Sequence, residues 1–120
     1  MTDPRLRLRL VYGEGFMMGP GKAELLDHIQ ETGSISAAGR AMGMSYKRAW
    51  MLVETMNAAF EQPLVESARG GAGGGGASLT DTGVEVLRLF RAIVAATRQA
   101  GADPIARLGS LLRRDMSGGK

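Results

Sequence analysis

Ser45, Tyr46, Lys47 and Arg48 stand in a row, two hydroxyls followed by two cations. Hydroxyls and cations grouped in this way can bond phosphate oxygens and the guanine edge, and arginine does so with a flat two-pronged fork. Twelve of the fifteen cationic side chains are arginine, and a net charge of +3 with a calculated pI of 9.8 keeps nucleic acid in view as a partner. Other chemistries find no footing. The chain has no cysteine, so it has no disulfide framework, thiolate metal site or cysteine nucleophile. His28 is the one histidine, which excludes a multi-histidine metal site within one chain. It lies beside an apolar helical stripe with no nucleophile near it in sequence, and reads as a helix-surface residue rather than a catalytic base. Glu24, Asp27 and Glu31 fit the solvated face of the same helix. No catalytic, metal or cofactor site is assigned, and the chain is not read as an enzyme.

The two cations are informative because of where they stand. Ser45 is a natural N-cap for a helix over Tyr46–Phe60, which puts Lys47 and Arg48 in its first turn. Cations there oppose the helix dipole, so an ordinary surface helix favours acids at these positions. On this helix Ala49, Leu52, Val53, Met56 and Phe60 follow the spacing of a core face. Lys47, Met51, Glu54 and Ala58 then point outward, with Arg48 and Thr55 along one flank and Tyr46 and Trp50 along the other. Arg48 or Lys47 is placed to donate to guanine, and Ser45 and Tyr46 to bond phosphate. Ser36 and Arg40 on the preceding short helix, and Met51 one turn on, complete the candidate DNA-facing set. Trp50 is read as packing against a hairpin or wing rather than stacking on a base.

The elements that must hold this helix can be read in order. Residues 5–11 alternate Arg and Leu, with Leu6, Leu8 and Leu10 on one face and Arg5, Arg7 and Arg9 on the other. After a turn at Gly13 and Gly15, Phe16-Met17-Met18 returns as a second strand, and the arginine row is read as a solvated face in preference to a phosphate contact. Gly19-Pro20-Gly21 opens a helix over Lys22–Thr32, which Gly33 ends. Ser34 or Ser36 caps a short helix, 37–42, and Gly43 closes it in the left-handed position. Pro63 ends the longer helix, and a strand begins at Leu64. Ala77-Ser78-Leu79 returns as its partner, and Thr80 caps a long helix to about Gln99 with Val84, Leu87, Leu89, Ile93 and Val94 apolar. Gly101–Pro104 interrupts, followed by an amphipathic stretch, Ile105–Arg114, and a Ser-Gly-Gly-Lys end expected to be disordered. Residues 1–100 are expected to form one domain and 101–120 a tail.

Six of the eighteen glycines fall within Gly70–Gly76. Alone they would read as a flexible linker, but strand-forming residues flank them and a helix restarts directly afterwards. A phosphate-binding P-loop needs a following Gly-Lys-Ser/Thr, which is missing. The run is read as a wing tip, where glycine lets the backbone approach a phosphate or minor groove. Three helices followed by this hairpin make a mainly α fold with a small β wing, a winged helix-turn-helix, carrying an N-terminal hairpin and a long C-terminal helix.

Gly33-Ser34-Ile35-Ser36, Gly43 through Trp50, Pro63-Leu64-Val65-Glu66, the glycines ending in Gly76-Ala77, and Leu79-Thr80 together resemble the N-terminal DNA-binding domain of the molybdate-responsive transcriptional regulators, the ModE family of LysR-type winged helices. The resemblance spans roughly residues 6–99. It implies a homodimeric bacterial regulator on an inverted-repeat operator in double-stranded DNA, cytoplasmic and nucleoid-associated, with a link to molybdenum metabolism. It places the recognition role on Ser45, Tyr46, Lys47 and Arg48, and the wing's backbone contact on Arg69, Gly73, Gly74, Gly75 and Gly76. It makes Thr80–Gln99 the dimer helix, with Leu87, Phe90, Ile93 and Val94 as contacts.

Two departures qualify the match. Family wings often carry a basic residue where this chain has Ala72, and Arg69 is expected to replace it. Longer members continue into oxyanion-binding domains where this chain has reached Lys120. The expectation is therefore a free-standing member, acting constitutively or through a separate effector-sensing partner, or a fragment, without the molybdate site. No apolar run approaches the ~20 residues of a membrane span, and the N-terminus lacks the order of a signal peptide. A winged helix used for protein contact, or one binding DNA non-specifically without effector sensing, is the alternative; the modest net charge and Ala72 favour it.

Overall fold

A computed structural model, describing residues 4–68 and 76–113, gives two small antiparallel hairpins and five helices among those residues. The first hairpin joins β1 (Leu10–Tyr12) to β2 (Phe16–Met18), with Leu10 opposite Met18. The strand expected over residues 5–11 is thus shorter. Its alternation is kept, with Leu6, Leu8 and Leu10 half-buried and Arg5, Arg7 and Arg9 exposed, but β2 ends at Met18 and leaves residues 5–9 without a ladder partner. Chain reversal into the next helix removes that partner. Helix α1 (Pro20–Thr32) begins two residues before the expected start, because proline at the first position forgoes an N–H that would have no helical acceptor.

Ser34, not Ser36, caps the second helix. Its Oγ accepts from the Ala37 N–H at 3.0 Å, so α2 spans Ile35–Ala41. Gly43 then takes φ 71°, and the Met44 N–H donates to the Gly39 carbonyl at 2.9 Å. Ser45 caps α3 (Tyr46–Ala59), its Oγ accepting from the Arg48 N–H at 3.1 Å. The two helices touch through their smallest residues. A Cβ on Gly39 would come within 3.0 Å of the Ala49 Cβ, and both residues are buried. Leu25, Leu26 and Ile29 of α1 meet Val53 and Met56 of α3 and Leu64 in the fully enclosed centre, each such side chain contributing about 1.5–3 kcal/mol.

The second hairpin pairs β3 (Val65–Ala68) with β4 (Gly76–Leu79), Val65 opposite Leu79. Thr80 then caps α4 (Asp81–Ala100): its Oγ1 accepts from the Gly83 N–H at 3.0 Å and donates to the Pro63 carbonyl at 2.7 Å. Gly83 lets this first turn lie directly on the Leu64 carbonyl, which leaves no room for a Cβ. Helix α5 (Ala102–Ser110) follows after Gly101. The expected interruption of the long helix is confined to Gly101, and α5 starts three residues before Ile105, since Pro104 falls in its first turn where no N–H is needed.

At 20 residues α4 is about 30 Å long and outreaches the core. The radius of gyration of 17.3 Å exceeds the ~14 Å of a compact chain of this length, and the longest dimension is 56 Å. No helix among the described residues is long and apolar enough to cross a membrane. Three helices leading into a two-stranded wing, extended by α4, form a winged helix-turn-helix.

Candidate nucleic-acid interface

Helix α3 buries Ala49, Val53 and Met56 and exposes Lys47, Met51, Glu54 and Ala58, as its spacing requires. Lys47 and Arg48 are exposed beside Tyr46 and Met51, which are 56% and 57% exposed. The Ser45 oxygen is engaged in capping, yet its hydroxyl hydrogen remains able to donate to a phosphate. One exposed strip thus carries hydroxyl, ammonium, guanidinium and thioether groups at the open end of the helix. Those groups can donate to phosphates and purine edges and can touch a thymine methyl.

Both flanks of this strip are shaped. On one, Tyr46 and Trp50 lie nearly parallel, with ring centres 6.4 Å apart, facing a cleft whose other walls include Ser36, Ser67, Gly76 and Ala77. Trp50 therefore lies against the wing's base while staying 37% exposed. Ser36 accepts from the Arg40 guanidinium at 3.0 Å, so these two residues of α2 hold each other beside the cleft. On the other flank Arg48, Leu52 and Thr55 line a shallow hollow with Ser45, Lys47 and Met51.

The wing's base is fastened at three points. The Asn57 side chain accepts from the Leu64 and Val65 N–H groups at 2.8 and 3.1 Å and donates to the Val65 carbonyl at 3.0 Å. The Ala77 N–H donates to the Gly33 carbonyl at 2.8 Å, and the Thr80 N–H to the Leu64 carbonyl at 2.9 Å. Asn57 was not among the expected site residues. Its only signal was an amide on a helix edge shortly before a helix break, which does not identify the strand it will hold.

Of the expected wing residues, Arg69, Gly73, Gly74 and Gly75 lie outside the described residues, as does the expected disordered end. Gly76 belongs to β4 rather than to a tip. It pairs with Ala68, and a Cβ there would come within 3.2 Å of the Gly33 carbonyl oxygen, so glycine serves close packing on α1.

The four expected dimer residues divide. Leu87 and Phe90 are 3% and 6% exposed and packed into the core, so their surface is already committed within one chain. Val94 is half-buried against the same core. Ile93 is exposed, and with it Leu89, which the expected set omitted.

Residues 21–84, from α1 through the wing into the first turn of α4, match the family of bacterial regulatory helix-turn-helix proteins of the lysR type. Among curated proteins, the molybdenum-pterin-binding protein MopB of Rhodobacter capsulatus is 47% identical over 81 residues, 68% of this chain and 30% of the relative. The transcriptional regulator ModE of Yersinia pestis is 48% identical over 71 residues, covering 59% and 27%. The DNA-binding transcriptional dual regulator ModE of Escherichia coli (strain K12) is 46% identical over 71 residues, with the same two shares. The chain thus spans about 30% or less of the length of these relatives. Their identities agree with the ModE-family resemblance of the motifs around Gly33, Gly43–Trp50 and Pro63–Glu66. With its capped helix pair, its anchored wing and the match over residues 21–84, the chain belongs to the lysR family of bacterial regulatory helix-turn-helix proteins.

Proposed function

We propose that this chain is a sequence-specific double-stranded DNA-binding regulator that acts as a homodimer on an inverted-repeat operator, in the bacterial cytoplasm and on the nucleoid. The observation that carries the reading is the exposed strip Ser45, Lys47, Arg48 and Met51 at the start of α3, set beside a wing base anchored to the same helix. In a helix-turn-helix the N-terminal residues of the second helix meet base edges, which is where these side chains stand. The ModE and Mop relatives, named for regulation and for molybdenum-pterin binding, support a link to molybdenum metabolism. The chain itself is read as non-enzymatic and without a cofactor.

A second copy is the reading for the outer face of α4. Leu89, Ile93, Ala96 and Ala100 are exposed and spaced four, three and four apart, the seam on which two helices pack. Leu89 and Ile93 are 45% and 37% exposed, and α4 projects past the core, so two copies can join there with both recognition helices free.

Selection of bound sites from a random duplex library, with and without molybdate, tests both parts. Recovery of a palindromic site with half-sites one helical turn apart, preferred over random duplex by at least ~10³-fold, is expected. Equal binding to every duplex would overturn the specific-regulator reading.

A further inference from the structure

Arg9, Lys22 and Arg48 come from the N-terminal segment, α1 and α3, yet they line one open groove together with Arg7. Packing holds two of these cations in place. The Arg9 stem lies over Gly19, where a Cβ would come within 2.8 Å of its Cγ, and the Lys22 Nζ sits 5.5 Å from the centre of the Phe16 ring. Arg7 reaches Glu24 at 3.4 Å, but Arg9, Lys22 and Arg48 have no carboxylate within ion-pair distance among the described residues. Among the described residues no acid lines the groove. Surface cations are ordinarily interspersed with acids, so a groove of one sign, with its cations held by packing, suits a polyanion.

The groove also has a definite relation to the recognition helix. Arg48 and Leu52 line both it and the hollow that contains Ser45, Lys47 and Met51. That is the flank of α3 opposite the wing cleft of Tyr46 and Trp50. A helix in the major groove, about 12 Å wide, has a phosphate backbone on each side. The wing lies toward one backbone, and the basic groove is where the other must pass.

Taking α3 as the DNA-reading helix, we propose that Arg9 and Lys22, with Arg7, grip the phosphate backbone on the side of the major groove away from the wing. The contact is sequence-independent, because cations lining an open groove meet a repeating anion rather than a base edge. The arginine alternation of the N-terminal segment is then part of the DNA surface rather than a solvated face. Continuity with α3 at Arg48 favours DNA over an acidic protein segment.

The test compares the full chain with an Arg9→Gln/Lys22→Gln double variant on the selected duplex and on random duplex, each across a salt series. The expected result is a plot of log affinity against log salt shallower by about 1–2 units, and binding about tenfold weaker on both duplexes with their ratio unchanged. Glu24→Gln, which releases Arg7, should tighten both duplexes a few-fold, a gain that misfolding cannot imitate. Parental slope and affinity in the double variant would overturn the groove contact and leave α3 as the reading helix. A loss confined to the selected duplex would overturn the backbone role in favour of base contact. Parental duplex binding with lost binding to a polyglutamate peptide would assign the groove to an acidic protein partner. A parent chain without preference for any duplex would overturn the α3 reading and this proposal together.

Discussion

Asn57 is joined to the main chain of Val65 from both directions: its Oδ1 accepts from the Val65 N–H at 3.1 Å, and its Nδ2 donates to the Val65 carbonyl at 3.0 Å. One side chain of α3 thus does for the start of β3 what a neighbouring strand would do. The same Oδ1 takes the Leu64 N–H at 2.8 Å, so three main-chain groups beside the core depend on one amide. Leu64 in turn accepts from the Thr80 N–H, and Thr80 begins α4. Recognition helix, wing and projecting helix are therefore set relative to one another through a few residues around Leu64.

Removal of that amide should loosen the wing from α3. Asn57→Ala leaves two N–H groups and one carbonyl without their partner in a half-buried place, and a cost of about 2–3 kcal/mol is expected. Asn57→Asp keeps the two acceptances but sets a carboxylate oxygen against the Val65 carbonyl, so it should not restore the parent. Denaturant unfolding measures the stability loss. Binding measured well below the unfolding transition should also weaken, since a loosened wing no longer meets DNA in one orientation. Parental stability in Asn57→Ala would show that the wing is held without it.

Much of this framework is local and so legible in the residues. Ser45 and Thr80 cap where a small hydroxyl precedes an apolar period, and Gly43 takes the left-handed conformation at a helix end. The exposed strip of α3 also follows from spacing alone. What escaped were features fixed by a partner distant in sequence. The length of β1 depends on where β2 stops, because a strand lasts only as long as its neighbour. Gly76 reads as one more loop glycine until Gly33 is placed beside it. On α4 apolar residues spread round more than one side, and periodicity cannot tell Leu87, which meets the core, from Leu89, which does not. Asn57 and the gathering of Arg9, Lys22 and Arg48 are of the same kind.

The close seam between α2 and α3 supplies a second stability prediction. Gly39→Ala would put two methyl groups 3.0 Å apart in a buried place, forcing the helices to separate, at a cost of about 1–3 kcal/mol. Ala49→Gly removes the opposing methyl at about 1 kcal/mol of helix propensity. The double variant should then lose less than the sum of the two single losses, because the clash is a property of the pair. Strict additivity in urea unfolding would mean that the seam yields elsewhere.

Arg48 separates base reading from phosphate binding. Arg48→Ala leaves the Ser45 cap intact, because the cap uses the backbone N–H of residue 48, so the fold should persist. If the guanidinium reads guanine, about 1–3 kcal/mol is lost at one base pair of the selected site and little elsewhere. Binding to a panel of single-pair variants of that site resolves the two cases. A uniform loss across the panel, with a shallower salt dependence, places Arg48 on phosphate instead.

The two faces of α4 make opposite predictions. Leu87 is buried against the core, so Leu87→Ala should lower stability by about 2–5 kcal/mol. Leu89 and Ile93 face outward, and Leu89→Glu/Ile93→Glu should leave the fold of one copy nearly unchanged while placing four carboxylates across a two-fold seam. Sedimentation should then report a dimer for the parent and a monomer for the charged variant, with matching helical content. Affinity for the palindromic site should fall steeply, while affinity for a half-site should be retained. A parent that sediments as a monomer at micromolar concentration, or a charged variant that still dimerises, would move the interface away from Leu89 and Ile93.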